Sequence, residues 1–316
     1  MSDNIQHYTG DRLTEAESVP EPLIQGYLYP GDLIMILGSE KAGKSILALQ
    51  MAANLSSGTP FLGKYKTKKS CVAYLQTEGK KDETAFRIQN MMKTIPFDKD
   101  NFHRLYKRFL PLDVPEYLNK LDNMLASLNP KPEVLFDDSL YTTMTGDLNS
   151  NEDVRKFLFA YSMILEKYNL TSPMIHHAKR DEFFEGKKTQ LGDKVSYGSV
   201  FLRANVDHII FLDMQKDKTR TLSCDTQRSG NVAEMERLVL IQPKPLQFKL
   251  QGSYTASEET ILSNFVVTCS RSTISKNTGL SDSSIDNAIR KFLIDERIKE
   301  IGTTEGLHPE KTYVSV

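Results

Sequence analysis

The chain has 316 residues, 39% hydrophobic and 26% charged, a balance that excludes wholesale disorder and leaves room for one large domain and a small one. Its 40 basic and 41 acidic side chains give a net charge of −1, which excludes a uniformly cationic nucleic-acid coat but not a local basic patch. Three cysteines, Cys71, Cys224 and Cys269, are too dispersed for a disulfide ladder or zinc spacing and suit a reducing, cytoplasmic setting; no apolar run approaches the roughly 18 residues of a bilayer span.

Residues 1–22 are polar and acidic, lack the basic-then-apolar form of a secretory signal, and close on Pro20-Glu21-Pro22, so they are expected to form an N-terminal arm. Apolar runs then predict strands over 33–37, 71–76, 134–138, 172–177, 206–212, 219–224 and 238–241. Amphipathic spacing predicts helices over 45–56, 82–92, 115–127 and 152–168. Strand and helix alternate in the first half, which argues for an α/β fold with a mostly parallel central sheet. The later strands, with few helices between them, argue for antiparallel edge strands. The pattern changes after Gly252-Ser253, dividing the chain into a domain over 23–252 and a small one over 255–316.

The strongest motif is Gly38-Ser39-Glu40-Lys41-Ala42-Gly43-Lys44-Ser45, directly after the first strand and directly before a helix that opens with Ile46. In that context glycines let backbone N–H groups cradle phosphates, Lys44 reaches the β- and γ-phosphates, and the Ser45 hydroxyl ligates Mg²⁺. Hydrolysis needs more: an acid that supports the metal and a residue that orients water. Asp137 and Asp138 end one strand, and one of the two is expected to supply the first. Glu78, in Thr77-Glu78-Gly79 after another strand, is placed to supply the second.

The stretch Gly31-Asp32-Leu33 to Ser45, then Ala48-Leu49-Gln50, Gly58-Thr59-Pro60-Phe61-Leu62-Gly63, Val72-Ala73-Tyr74-Leu75 and Glu78, resembles the RecA-like ATPase core. More narrowly it is similar to the RepA-type hexameric plasmid helicases and related phage ATPases. The resemblance implies ATP as the nucleotide with Mg²⁺, Glu78 as catalytic base, and Asp138 on the metal with Asp137 beside it. His176-His177-Ala178-Lys179 resembles the family's H-H-x-x-K, implying that His177 senses the γ-phosphate. Gly198-Ser199-Val200-Phe201-Leu202-Arg203 and Asp207 follow the same pattern. Gln227-Arg228-Ser229-Gly230 is similar to the K-Q-R-x-G turn of ring helicases, with Thr226 at the lysine, which makes Arg228 the candidate arginine finger and Arg203 its rival. Arg87 falls where a family arginine stacks on adenine.

The segment after His177 carries Lys179, Arg180, Phe183, Phe184, Lys187, Lys188 and Lys194, cations and rings that suit single-stranded DNA, with Asp181, Glu182 and Glu185 opposing. It stands where RecA-like rings place a pore loop. Residues 255–316 resemble a winged helix: helices over 258–263, 272–280 and 281–293, and a wing from 298–302 and 311–316. Ser281 suits an N-cap, and Ile285, Ile289, Phe292 and Leu293 form the third helix's buried face. Seven Lys/Arg against nine Asp/Glu leave this domain acidic, so DNA and a replication protein are both open as its partner. The expectation is a homo-oligomeric, hexameric ring that hydrolyses ATP to move on nucleic acid, a replicative-type DNA helicase of a plasmid, phage or mobile element. The alternatives are a nucleotide-switched DNA-binding regulator and a recombination mediator.

Overall fold

A computed structural model describes residues 9–10, 20–177, 200–215, 218–226, 238–244, 246–250, 260–261, 264–266, 268–294, 298–304 and 310–315. The chain divides into two compact units, 1–250 and 251–316.

In the first unit, β1 (Leu33–Gly38) leads through the glycine loop into α1 (Lys44–Ser57). Then come β2 (Val72–Gln76), α2 (Lys81–Met91), β3 (Phe102–Tyr106), α3 (Pro115–Ser127), β4 (Val134–Asp138), the single turn α4 (Leu140–Thr143), α5 (Asn151–Tyr168) and β5 (Ser172–His177). A short α6 (Val200–Asn205) precedes β6 (His208–Met214), β7 (Arg220–Thr226), β8 (Leu238–Lys244) and β9 (Gln247–Leu250). The strands form one nine-stranded sheet in the order β3-β2-β4-β5-β1-β6-β7-β8-β9. Pairing is parallel from β3 to β6 and antiparallel from β6 to β9, as the alternation of elements implied.

Strands β2 and β4 are buried on both faces, the usual state of parallel strands sandwiched between helices. On one face Leu47, Ala48, Met51 and Leu55 of α1 pack on Ile34, Ile36, Tyr74 and Phe136. On the other, Phe157 and Tyr161 of α5 pack with Met35, Leu37 and Leu135. The outermost strand β9 is tied to α1 by one side chain: Gln50 Nε2 donates to the Phe248 carbonyl at 2.9 Å and Gln50 Oε1 accepts from the Phe248 N–H at 2.8 Å. Strands β3 and β9 were not anticipated from the sequence; the other elements of this unit longer than six residues match their expected positions within a few residues.

In the second unit, β10 (Cys269–Ser270), α7 (Arg271–Thr278), α8 (Asp282–Ile294), β11 (Ile298–Thr303) and β12 (Lys311–Ser315) surround a core of Ile261, Phe265, Ile274, Ile285, Phe292 and Tyr313. Ser270 caps α7 by accepting from the Thr273 N–H, and Gly279, at φ 67°, ends it. β11 and β12 pair antiparallel where the wing was expected, and β10 adds a third strand. Of the expected first helix, only Thr260 and Ile261 fall among the described residues.

Candidate active site

Four parallel strands end at one edge of the sheet and deliver the candidate residues there. Gly38 ends β1, Gln76 ends β2 just before Glu78, Asp138 ends β4 and His177 ends β5. The carboxyl ends of such strands form the usual ligand crevice of an open α/β sheet.

Two glycines of the loop are sterically required. A Cβ on Gly38 would lie 1.9 Å from the Leu212 carbonyl oxygen, and Gly43 holds φ +101° with Phe248 Cζ 2.7 Å from where its Cβ would be. The turn aims the Lys44 ammonium back into the loop, where it donates to the Gly38 and Ser39 carbonyls, both at 2.9 Å. Burial pushes that ammonium down to about 8, against the opposing pull of Asp138, Glu78 and Glu40. Arg220 on β7 braces the loop from outside, its Nε donating to the Ala42 carbonyl at 3.1 Å.

Ser45, at the start of α1, donates its hydroxyl to Asp138 Oδ1 at 3.2 Å, and Tyr74 on β2 donates to Asp138 Oδ2 at 2.6 Å. Burial pushes the Asp138 carboxyl up, while these two hydrogen bonds and the nearby charge of Arg87 pull it down. The donor set fits a nucleotide with its hard cation. Both hydrogen bonds of the buried Lys44 go to main-chain carbonyls, which phosphate oxygens can replace. Ser45 and Asp138 offer a hydroxyl and a carboxylate oxygen side by side, the ligand types Mg²⁺ prefers.

Glu78 is half exposed at the mouth of the crevice. Its Oε2 accepts from the Ser139 hydroxyl at 2.8 Å, and His177 Nε2 lies 3.4 Å from the same oxygen. Below it, Gln76 Nε2 donates to the Glu78 and Lys80 carbonyls at 3.0 and 2.9 Å, fixing the loop that carries Glu78. Lys44, Ser45, Glu78, Asp138 and His177 thus meet in one crevice, and the charge of Arg87 on α2 is felt at Asp138.

Asp137 goes elsewhere. Successive residues of a strand point to opposite faces, so Asp137 lies on the α5 side, fully buried, accepting from Thr143 Oγ1 at 2.8 Å. Burial pushes its carboxyl up to about 7, with the Asp138 charge adding to the rise. His176 is buried within β5 and Arg203 sits on α6, which packs against α5. Arg228 and the basic segment with Lys179, Arg180, Phe183, Phe184, Lys187, Lys188 and Lys194 lie outside the described residues. Sequence reasoning missed Tyr74, Ser139 and Arg220. The first two had a weak signal, a polar hydroxyl beside a motif acid on an adjoining strand; Arg220, 178 positions from its partner, had none.

Two solved structures are similar to this chain. A KaiC-like protein from the hyperthermophilic archaeon Pyrococcus horikoshii OT3 aligns over 74% of this chain and 97% of its own, at 15% identity and a TM-score of 0.48. A DnaB-like replicative helicase, whose structure is described together with its interactions with primase, aligns over 75% of this chain and 65% of its own, at 15% identity and a TM-score of 0.54. This chain therefore spans slightly under two thirds of that helicase, and the likeness to it shows a common RecA-like P-loop fold. No curated protein matches the sequence. The family described as AAA domain matches residues 4–182, a stretch that holds the phosphate loop and every strand end of the crevice. With more than half of its length accounted for in this way, the chain belongs to the AAA domain family.

Proposed function

We propose that the protein is an ATP-hydrolysing, ring-forming motor on nucleic acid, of the replicative DNA helicase kind carried by plasmids, phages or other mobile elements. The observation that carries this reading is the contact of His177 with Glu78 Oε2 in the crevice that also holds Lys44, Ser45 and Asp138. A site built only to bind nucleotide has no use for a carboxylate held at the mouth by two neighbours. A site that activates water does.

In this reading Lys44 exchanges its two carbonyl partners for phosphate oxygens and neutralises their charge. Ser45 and Asp138 are the residues that would hold Mg²⁺, which when bound offsets charge building on the phosphates. Asp137, on the opposite face, is left out of that role. Glu78 takes the proton of the attacking water through its freer oxygen, while Ser139 fixes the other. Arg87 on α2 is the residue assigned to stack on adenine, and its charge also acts on the Asp138 carboxylate. His177 reports the state of Glu78 to the segment that follows it. A neighbouring copy completes the site with Arg228 or Arg203, and the second unit acts as a winged helix that docks DNA or a replication protein.

The test is ATP hydrolysis with and without single-stranded DNA, in wild type and Glu78→Gln. Stimulation by single strands, with turnover reduced by about 10²- to 10⁴-fold in the variant while ATP still binds, supports the motor and its base. Hydrolysis indifferent to nucleic acid removes the helicase reading.

A further inference from the structure

After β3 the chain does not turn back at once. Residues 107–112 run as a strap across the ends of β2 and β4, tied by four main-chain hydrogen bonds. The N–H of Lys107 donates to the Gln76 carbonyl, that of Phe109 to Thr77, that of Leu110 to Thr142 and that of Leu112 to Thr143, at 3.1, 3.1, 3.1 and 2.7 Å. Leu110 and Leu112 anchor it in the core. Phe109 does the opposite: its backbone is held at φ 58°, a region a non-glycine residue enters only at a cost, and the residue is 54% exposed. The two preceding residues, Lys107 and Arg108, are exposed, with the Arg108 guanidinium 5.7 Å from the centre of the Phe109 ring. Tyr141, one residue before the strap's partner Thr142, is 68% exposed. The strain displays an aromatic ring beside two cations, where burial gains nothing from it.

We infer that this strap is a contact for single-stranded nucleic acid, in which Phe109 stacks on a base and Lys107 and Arg108 meet the backbone phosphates. This deepens the motor reading and rests on it. A single strand presents both things the strap lacks, a flat π-face and a line of negative charge. An apolar protein surface would cover the rings only by stripping water from the two cations. The acids beside the strap are partly engaged: Asp113, next in the chain, accepts from the Thr145 N–H and hydroxyl, and Glu78, next to the Thr77 that the strap bonds, accepts from Ser139. The strap also reaches the catalytic carboxylate, because the carbonyl that receives the Phe109 N–H belongs to Thr77, the residue before Glu78. A strand seated on the ring therefore bears directly on the loop that aims the base.

The test is fluorescence anisotropy of a labelled oligothymidylate with the full chain, Mg²⁺ and a non-hydrolysable ATP analogue. It compares wild type with Phe109→Gly, Phe109→Tyr and Arg108→Ala. Glycine suits the positive φ, so Phe109→Gly removes the ring while thermal unfolding confirms that the fold is kept. The expected result is binding weakened about tenfold or more by Phe109→Gly and retained by Phe109→Tyr. Arg108→Ala should flatten the slope of log affinity against log salt by about 0.7. Wild type that binds no oligonucleotide overturns both this inference and the nucleic-acid motor. Wild type that binds while Phe109→Gly binds equally well overturns this inference alone. A change of sedimentation size in Phe109→Gly, with binding per particle unchanged, assigns the strap to contact between copies and overturns it too.

Discussion

Ser139 Oγ donates to Glu78 Oε2 at 2.8 Å from the residue directly after Asp138, so the strand that carries the candidate metal-side carboxylate also positions the candidate base. Ser139 is itself fully buried, its N–H donating to Thr77 Oγ1 at 3.0 Å. Removing the hydroxyl leaves Glu78 with only the longer His177 contact to orient it at the crevice mouth, without touching the phosphate cradle. Ser139→Ala should lower kcat for ATP by about 10- to 100-fold, the worth of one hydrogen bond to a charged group, with little change in KM. Steady-state hydrolysis measures both, and a raised KM at unchanged kcat would assign Ser139 to ground-state binding instead.

Lys44 gives nucleotide binding a pH signature. Its ammonium, pushed down to about 8 by burial, is partly neutral in the free chain at that pH. Bound phosphates favour the charged form, so the complex holds more protons than its separate parts. Binding should therefore take up a fraction of a proton near pH 8, and affinity should decline as pH rises beyond it. Titration calorimetry in buffers of different ionisation enthalpy reads the uptake; heats independent of the buffer would contradict it.

At the other end of β1, Asp32 lowers stability at neutral pH. It accepts from the Tyr29 N–H at 2.9 Å, yet burial and the Asp207 charge raise its carboxyl from 3.8 to about 6. The folded state therefore binds a proton more tightly than the unfolded state. The stability this gives is complete below pH 3.8 and is lost as pH rises through about 6. Buried His208, whose Nδ1 lies 3.8 Å from Asp32 Oδ2, is pushed down by desolvation and acts in the opposite sense at acid pH. Asp32→Asn should be more stable than wild type by on the order of 1–3 kcal/mol at pH 7.5 and no more stable near pH 4. Urea unfolding at the two pH values decides it.

Gly38 tolerates no side chain. With a Cβ placed 1.9 Å from a backbone carbonyl, Gly38→Ala must part β1 from β6, at a cost of about 3 kcal/mol. The loss should show as a lower Tm without nucleotide, separating it from any effect on phosphate binding. Thermal unfolding indistinguishable from wild type would mean that β6 yields more easily than its register implies.

The phosphate loop and the strands behind it were legible because each is a short apolar run closed by a residue of distinct chemistry. Which of Asp137 and Asp138 faces Ser45 was not. β4 is buried on both faces, so no alternation of polar and apolar residues marks its sides, and only the structure separates the two carboxylates. β3 was hidden for the opposite reason: His103 and Arg104 interrupt its apolar pattern, which a half-buried edge strand permits. The brace from Arg220 to the Ala42 carbonyl joins residues far apart in sequence, and no local pattern reports such a contact.

The amide of Gln50 has one more consequence. A strand at the rim of a sheet normally offers its free N–H and C=O groups to any chain that can lie alongside. At Phe248 both groups are already taken by a single side chain reaching out from α1. That rim is therefore closed to strand addition at Phe248, where an added chain would find no free main-chain donor or acceptor.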